Sequence, residues 1–386
     1  MQTPPPLSLI THFQNLPDPR VNRTKDHELN DILVIDICTL LCGGESFNDR
    51  EDFGHAKRDW FETFLTLRHG IPSHDTFNRL FAALDPEAFG ECFVRWTQSL
   101  RQALAQEIVA LDGKALRRAL NTDQSMKYVV SAWAESNELV LGQWKVADKS
   151  NEITAVPELL RVLELAGCIV TMDAMGCQKK IAREIREADA DYVLALKGNQ
   201  ETVHEEVKTY LDAALLERIT PRPVGAKLSP GAATLAVWET VEKDHGRIET
   251  RRYYQSAELD WFADRSKWEG LRSVGMVEAA REVGGKTTVE RRHYLSSLPL
   301  GVETFARAVR GHWGVENKLH WVLDVWFRED QSRARAGHAA ENLATLRRLA
   351  LNLLQREKTK KRGIKGKQLN AGWDHAYLLR LLGVQI

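Results

Sequence analysis

The sequence predicts an α/β protein, with a mixed sheet and flanking helices, an α-helical N-terminal domain and a β-rich insertion. Residues 1–103 show the apolar spacing of helices, whereas short apolar strands and amphipathic helices alternate over residues 104–200. Strand patterns continue in residues 201–300, two helices follow in residues 301–355, and residues 356–386 form a basic segment. Because some strands are joined by hairpin turns and others by crossover helices, we expect a mixed sheet.

The first hundred residues predict a small bundle of helices. An apolar helical run spans Leu29 to Leu41, and the spacing of aromatic residues predicts a second helix from Glu51 to Leu67. Ser73 is suited to cap the next helix, and Asp85-Pro86 to begin the one after it. Helices joined by short turns also suit a helix-turn-helix that reads DNA, but the acidic charge of this region favours the bundle.

The next hundred residues predict five strands and two helices. The first strand, Ile108–Leu111, ends at Asp112-Gly113, and the fourth strand leads directly into Asp173. The later elements are the strands Tyr128–Trp133 and Leu139–Val146, the helix Ile153–Leu165, the strand Cys168–Met172, the helix Gln178–Ala188 and the strand Tyr192–Leu196.

Residues 201–300 predict an insertion before the last helices of the core. Its elements are a helix at Gln200–Leu216 and strands at Trp238–Tyr254, Ser273–Glu282 and Lys286–Ser296. Gly284-Gly285 predicts the turn between the last two strands. Long helices are then expected from about Thr304 to Phe327 and from Ala339 to Gln355.

The composition argues against a membrane protein and a secreted protein. Apolar residues make up 43% and charged residues 27%, close to the average for a globular protein. The apolar stretch Ile32–Cys42 is too short to span a bilayer, and the N-terminal residues lack the basic and apolar regions of a signal peptide. Five scattered cysteines indicate a reducing compartment, so we expect a cytoplasmic protein with no membrane partner.

The formal net charge of +0 conceals an uneven distribution. Residues 1–100 carry 9 Lys and Arg against 15 Asp and Glu, whereas residues 331–386 carry 12 against 3. A basic C-terminal segment suits a polyanion such as nucleic acid, and the alternative is a solvated helix face followed by a flexible basic loop. Most of this positive charge lies in Arg333, Arg335, Arg347, Arg348 and the run from Arg356 to Lys367.

Asp112 and Asp173 each follow an apolar strand, where catalytic groups collect in open α/β sheets. Two carboxylates at neighbouring strand ends suit a hard, oxygen-preferring ion such as Mg²⁺. Glu316 is a candidate third ligand, because it shares a helix face with His312 and His320. Spacing alone leaves Asp324, Glu329 and Asp330 as rivals, and either aspartate could instead be an ordinary turn or capping residue.

Several motifs resemble those of the DDE transposases of insertion sequences, in the branch that includes the H-repeat-associated proteins. They are Leu111–Lys114, Lys149–Ile153, Met172–Gln178, Lys197–Gln200, His312–Asp324, Glu329-Asp330 and Asn342–Leu354. The resemblance implies an RNase H-like catalytic core with the insertion before the last acidic residue. It also implies that Asp112, Asp173 and Glu316 form the catalytic triad and bind two Mg²⁺ or Mn²⁺ ions.

The resemblance further implies that the protein binds double-stranded transposon-end and target DNA, as a homodimer or larger assembly, and catalyses hydrolysis and strand transfer. In a bacterium it would then be nucleoid-associated when bound to DNA. Two alternatives are a catalytically inactive DNA-binding remnant and an RNase H-like metal nuclease without strand transfer. Candidate DNA contacts are Lys114, Arg117, Lys197, Arg310, His312, His320, Arg333, Arg335, Lys360, Lys361 and Arg362.

Overall fold

The computed structural model describes residues 9–21, 25–120, 126–146, 152–221, 226–244 and 247–383. The chain forms two compact units. The helix-rich unit comprises residues 1–103, 113–163 and 315–386, and the sheet-rich unit comprises residues 104–112 and 164–314. The chain therefore passes from one unit to the other four times, at Ala103–Leu104, Asp112–Gly113, Leu163–Glu164 and Gly314–Val315.

Nine strands form one mixed sheet in the order β3-β2-β1-β4-β5-β9-β8-β7-β6. Their bounds are β1 Ile108–Leu120, β2 Met126–Ala134, β3 Leu139–Lys145, β4 Ile169–Met172, β5 Asp191–Leu196, β6 Ala236–Asp244, β7 Arg247–Ser256, β8 Ser273–Val283 and β9 Lys286–Ser296. β4 pairs in parallel with β1 and β5, whereas β2–β3 and β5–β9 are antiparallel pairs. The predicted mixed sheet is thereby confirmed.

The sheet-rich unit has its core where one long helix covers the central strands. Its helices are α8 Lys179–Glu187, α9 Glu201–Ile219, α10 Pro230–Thr234 and α11 Val302–Gly314. Phe305, Ala308 and Val309 of α11 are buried in one cluster with Ile108 of β1 and Ile169 of β4. β6 to β9 form two antiparallel hairpins, and the ends of these strands that lie near the hairpin turns are largely exposed.

The helix-rich unit is organised around one buried helix, α13. Its helices are α1 Leu9–Phe13, α2 Leu29–Leu41, α3 Phe47–Ala56, α4 Arg58–Phe61, α5 His74–Ala83, α6 Pro86–Leu100, α7 Glu152–Val162, α12 Trp321–Trp326, α13 Ala339–Arg356, α14 Ile364–Trp373 and α15 His375–Leu382. Residues 339–354 of α13 are all buried, and the helix packs against α2, α5, α6 and β3. A helix buried on every side must place its polar side chains against partners within the protein.

The structure differs from the sequence-based elements in four places. The helix predicted at Glu51–Leu67 instead begins at Phe47, because Ser46 and Asp49 form a reciprocal capping box, and it ends at Ala56. The strand predicted to end at Asp112 continues as β1 to Leu120. The single strand predicted at Trp238–Tyr254 is the hairpin of β6 and β7, and the C-terminal residues proposed as a flexible basic loop include α14 and α15. The five-part division of the chain stays a prediction.

Candidate metal centre

Asp112 and Asp173 follow paired residues on adjacent parallel strands of the sheet-rich unit. Leu111 of β1 pairs with Met172 of β4, and each aspartate is the next residue in its chain. Neighbouring strands lie about 4.8 Å apart, so this register sets the two backbones side by side. Both aspartates are half-buried, so they remain partly accessible to solvent.

The local fold fixes Asp173 at the point where β4 ends. A 3₁₀ turn, Ala174–Gly176, begins directly after it, and Asp173 Oδ1 accepts hydrogen bonds from Met175 N at 3.0 Å and Gly176 N at 3.4 Å. A Cβ at Gly176 would lie only 2.3 Å from Met172 Cε, so the chain needs glycine to fold back over this methionine. The capping role expected as an alternative for an aspartate at a strand end is therefore present at Asp173.

The last turn of α11 lies on the same face of the sheet as the two aspartates. A Cβ at Gly311 would lie 2.8 Å from Ile108 Cδ1, and His312 Nδ1 forms a 3.0 Å hydrogen bond with Thr171 Oγ1. Ile108 and Thr171 stand an even number of residues before Asp112 and Asp173, and side chains alternate along a strand. The C-terminal end of α11 thus points toward the edge where both strands deliver a carboxylate.

Glu316 lies just beyond α11, in the helix-rich unit, on a π-helical segment that spans Val315–His320. π-helical turns are rare and occur mostly at functional sites. Glu316 Oε2 lies 3.8 Å from His320 Nδ1, and the carboxylate is 57% exposed while the imidazole is 8% exposed. A half-exposed carboxylate beside a buried imidazole offers two different ligand atoms from one helical turn.

Glu316 and His320, both in the helix-rich unit, offer a carboxylate and an imidazole from one helical turn. A carboxylate suits a hard divalent cation such as Mg²⁺ or Mn²⁺, although the imidazole is a softer ligand than Mg²⁺ prefers. Sequence reasoning placed His320 only among the DNA contacts, and its spacing of four residues from Glu316 was the signal for a ligand pair.

The rival carboxylates are each neutralised within the helix-rich unit. Lys114 Nζ lies 2.7 Å from Asp324 Oδ1 and 3.0 Å from Asp330 Oδ1, and Arg348 Nη1 lies 2.8 Å from Glu329 Oε1. Burial raises the pKa of Asp324 despite Lys114. Burial also acts to raise the pKa of Glu329, but Arg348, Arg347 and Lys114 outweigh it and hold that pKa below its ordinary value. These ion pairs favour a structural role for all three acids.

The candidate DNA contacts of the sheet-rich unit have different surroundings. Lys197 is exposed directly after β5, at the same strand-end edge as Asp173. Arg310 is exposed and forms an ion pair with Glu242 at 3.1 Å. His312 is held by Thr171, so its imidazole has a defined orientation.

The candidate contacts of the helix-rich unit divide into buried and exposed groups. Lys114 and His320 are buried, and Arg117 is exposed while pairing with Asp330 at 3.1 Å. The remaining candidates are exposed: Arg333, Arg335, Lys360, Lys361 and Arg362. The expectation that Arg347 and Arg348 belong to a solvated basic face is wrong, because they are 3% and 0% exposed.

Residues 149–151 of the Lys149–Ile153 motif lie outside the described residues. In the part of the chain that is described, no helix has the length and apolar character needed to cross a membrane.

Two family descriptions match the chain, "DDE_Tnp_1-associated" over residues 10–97 and "Transposase DDE domain" over residues 104–353. The chain is 37% identical over 381 residues to the H repeat-associated putative transposase YhhI of Escherichia coli (strain K12), covering 97% of each chain. It is 36% identical to the putative transposase YncI of Escherichia coli O157:H7, covering 97% of this chain and 94% of that one. The solved synaptic complex of piggyBac transposase with hairpin DNA matches with a TM-score of 0.43 and 11% identity, over 97% of this chain and 78% of that one.

Proposed function

The chain belongs to the DDE transposase family, in the H-repeat-associated branch, and from this premise we propose that it is an insertion-sequence transposase that cuts and joins DNA. Its substrates would be the double-stranded ends of its own element and a target duplex. The observation that carries the proposal is the register of β1 and β4, in which Leu111 pairs with Met172 and places Asp112 and Asp173 side by side.

We propose Asp112, Asp173 and Glu316 as the metal-binding carboxylates, with His320 as a further ligand or as the group that orients Glu316. The family implies the use of divalent metal, and we propose two Mg²⁺ ions. When bound, such ions activate a hydroxyl nucleophile and neutralise charge on the reacting phosphate and the leaving oxygen. The choice of Glu316 over its rivals is supported by their ion pairs, because each rival already lies beside a lysine or arginine nitrogen. These rivals are Asp324, Glu329 and Asp330.

The protein's own residues would supply binding and orientation. The backbone amides of Met175 and Gly176 hold Asp173 Oδ1, which fixes the direction of that carboxylate. Thr171 orients His312, whose ring would face the DNA phosphates from the end of α11. Lys197 would contact the strand from the neighbouring strand end, since its side chain is exposed there.

The test uses a labelled duplex that carries the terminal sequence of the element in which the gene lies, with a second duplex as target. Asp112→Asn, Asp173→Asn and Glu316→Gln should each reduce cleavage by about 10³-fold or more, because a metal ligand supplies several kcal/mol of transition-state stabilisation. Glu303→Gln is the matched control, since Glu303 is an exposed carboxylate in the first turn of α11. Full activity in any one of the three variants would remove that residue from the proposed triad.

The same assay separates the two alternatives. Binding of the end duplex without cleavage in Mg²⁺ would identify an inactive DNA-binding remnant. Cleavage without a joined product would identify a nuclease that lacks strand transfer. Both cutting and joining are expected here, and both should stop when the metal is chelated.

We also propose the organisation implied by the sequence, in which residues 1–103 support DNA binding and the catalytic core is interrupted by the insertion at residues 201–300. Pairing two element ends would require at least a homodimer on DNA. Action in the bacterial cytoplasm, at the nucleoid, is proposed from the family.

A further inference from the structure

A groove of about 520 Å³ opens on the helix-rich unit, between the start of α3 and the segment that joins α12 to α13. Its walls combine apolar and cationic side chains. Phe47, Phe327 and Leu343 contribute the apolar part, whereas Arg328, Arg333 and Arg335 stand on the joining segment. Glu45 is the acidic residue in the lining, and it lies 3.5 Å from Arg328.

Two buried guanidinium groups also line this groove, Arg50 and Arg347. Arg347 is 3% exposed and Arg50 is 0% exposed. Within the described part of the chain, Arg347 Nε and Arg50 Nη2 have no hydrogen-bond partner. A buried guanidinium that leaves donors unused is costly, and such donors are normally satisfied by an acceptor.

Each carboxylate near Arg347 uses one oxygen for another arginine, and among the described residues the second oxygens, Asp36 Oδ1 and Glu329 Oε2, have no hydrogen-bond partner, as is the case for Arg347 Nε. Asp36 Oδ2 accepts from Arg50 Nε at 2.6 Å, and Glu329 Oε1 accepts from Arg348 Nη1 at 2.8 Å. Two acids therefore face three arginines in this cluster. Burial, with the nearby charges of Arg50 and Arg348, lowers the pKa of Arg347 to about 10, although Glu329 and Asp36 oppose that change.

The cationic groups at the groove mouth are partly tethered. Arg335 Nε donates to Arg118 O at 2.9 Å, and Arg328 pairs weakly with Glu45. Arg328, in the segment that joins α12 to α13, adopts a left-handed conformation with φ of +48°. Arg333 is exposed beside them. The groove thus has a buried cationic floor and an arginine-rich mouth.

We propose that this groove is an anion-binding site that takes a phosphate group of a DNA strand, with Arg347 as the residue that the phosphate reaches. The inference rests on the proposed function for its ligand, but the site is separate from the proposed metal ligands in sequence and in role. A phosphate is suited to the floor, because its oxygens accept several charge-assisted hydrogen bonds from guanidinium groups. A DNA strand and inorganic phosphate both carry this group, and either could present it to the groove.

The test measures the affinity of a fluorescent duplex and of inorganic phosphate for the full chain, in EDTA so that no cleavage occurs. Arg347→Met should weaken duplex binding by about tenfold to a hundredfold, the loss expected for hydrogen bonds to a charged group. It should also reduce the slope of log affinity against log salt by about one. Arg79→Met, which removes an exposed arginine of α5, is the control and should change neither quantity by more than about twofold.

Thermal unfolding is a second readout. Arg347→Met should unfold at the same temperature as the wild type or higher, because it removes a buried charge with unused donors. If the variant does not fold, the Arg333→Met/Arg335→Met pair tests the mouth of the same groove, and the same loss of duplex affinity is expected.

Each outcome decides something. Wild-type duplex affinity in folded Arg347→Met, or in the mouth variant where Arg347→Met does not fold, would overturn the groove as a DNA-binding site and leave the proposed transposase intact. If the wild type binds no duplex at all, the proposed function and this inference both fail. Thermal stabilisation of the wild type by inorganic phosphate that is lost in Arg347→Met, together with unchanged duplex binding, would overturn DNA as the source and assign the groove to free phosphate.

Discussion

Glu316 and its three rival carboxylates could not be told apart by their spacing in the sequence, but they differ in the charged or polar group beside them. Asp324, Glu329 and Asp330 lie at about 3 Å or less from a lysine or arginine nitrogen. Glu316, a few residues earlier, lies 3.8 Å from the imidazole of His320 and is 57% exposed. A carboxylate that a permanent cation has neutralised contributes to folding, whereas one beside an imidazole remains suited to a metal. The group beside each carboxylate, and not its position in the sequence, therefore distinguishes a structural carboxylate from a candidate metal ligand.

The comparison predicts opposite behaviour on substitution. Variants of the proposed metal ligands should lose activity and keep their stability. Variants of the neutralised group should lose stability first, and any loss of activity should follow from unfolding. Three predictions test the second half of this contrast, in order of expected effect.

The largest effect is expected for Arg348→Met. Arg348 and Glu329 have 0% exposed side chains, and Arg348 also donates to Ser131 Oγ and Ala344 O. Removing the guanidinium leaves a buried carboxylate without its partner, which should lower the free energy of unfolding by about 3–5 kcal/mol. Urea denaturation followed by circular dichroism measures the change.

The double variant Glu329→Leu/Arg348→Met is the control for Arg348→Met and should recover much of the loss, because replacing both partners removes the unpaired charge. A pH series adds a second readout. The pKa of Glu329 lies below its ordinary value, so the stability it confers is present above the unfolded-state pKa and is lost as pH falls through the folded-state pKa. That acid-side loss should be absent in the double variant. A change below about 1 kcal/mol in Arg348→Met would contradict the assignment of this pair as structural.

A smaller effect is expected for Lys114→Met. The lysine is 8% exposed, but Asp324 and Asp330 retain 31% and 19% exposure, and Asp330 keeps Arg117 as a second partner. Solvent would therefore compensate part of the loss, and we expect about 1–2 kcal/mol. Lys114→Met/Asp324→Asn should be more stable than Lys114→Met alone, measured by the same denaturation. If the single variant is as stable as the wild type, Lys114 is free to act on DNA, as the sequence suggested.

Most of the fold was predictable because its signals are local. The apolar run Leu29–Leu41 gave the bounds of α2, and Gly284-Gly285, with φ of +55° and +75°, marked the turn between β8 and β9. The predicted end of the first strand was wrong. Asp112-Gly113 has the composition of a turn, but it lies within β1. β1 continues because Lys114 and Leu116 are themselves buried, and the acids that hold Lys114 are more than 200 residues away in the chain.

The burial of two arginines in α13 was not predicted either, because it also depends on partners that are distant in the sequence. Arg347 and Arg348 stand in a helix whose neighbours in sequence are leucines and alanines, and they resemble a solvated basic face. Their burial depends on α2, α5 and β3 packing around the helix, and on Glu329, which approaches from another segment. Spacing in the sequence cannot show which charges have found a partner, and that is the property that separates the two carboxylate groups.

The smallest effect is expected for Arg117→Ala, and it tests where the neutralised group ends. Arg117 Nε lies 3.1 Å from Asp330 Oδ2, but the arginine side chain is 72% exposed. An exposed ion pair contributes about 0–0.5 kcal/mol, so the free energy of unfolding should be nearly unchanged at low and high salt. Duplex affinity, measured in EDTA, should fall by about twofold to fivefold if Arg117 lies on the DNA path. A stability loss above about 1 kcal/mol would instead show that Asp330 depends on two cations and that Arg117 belongs with Lys114 in the structural group.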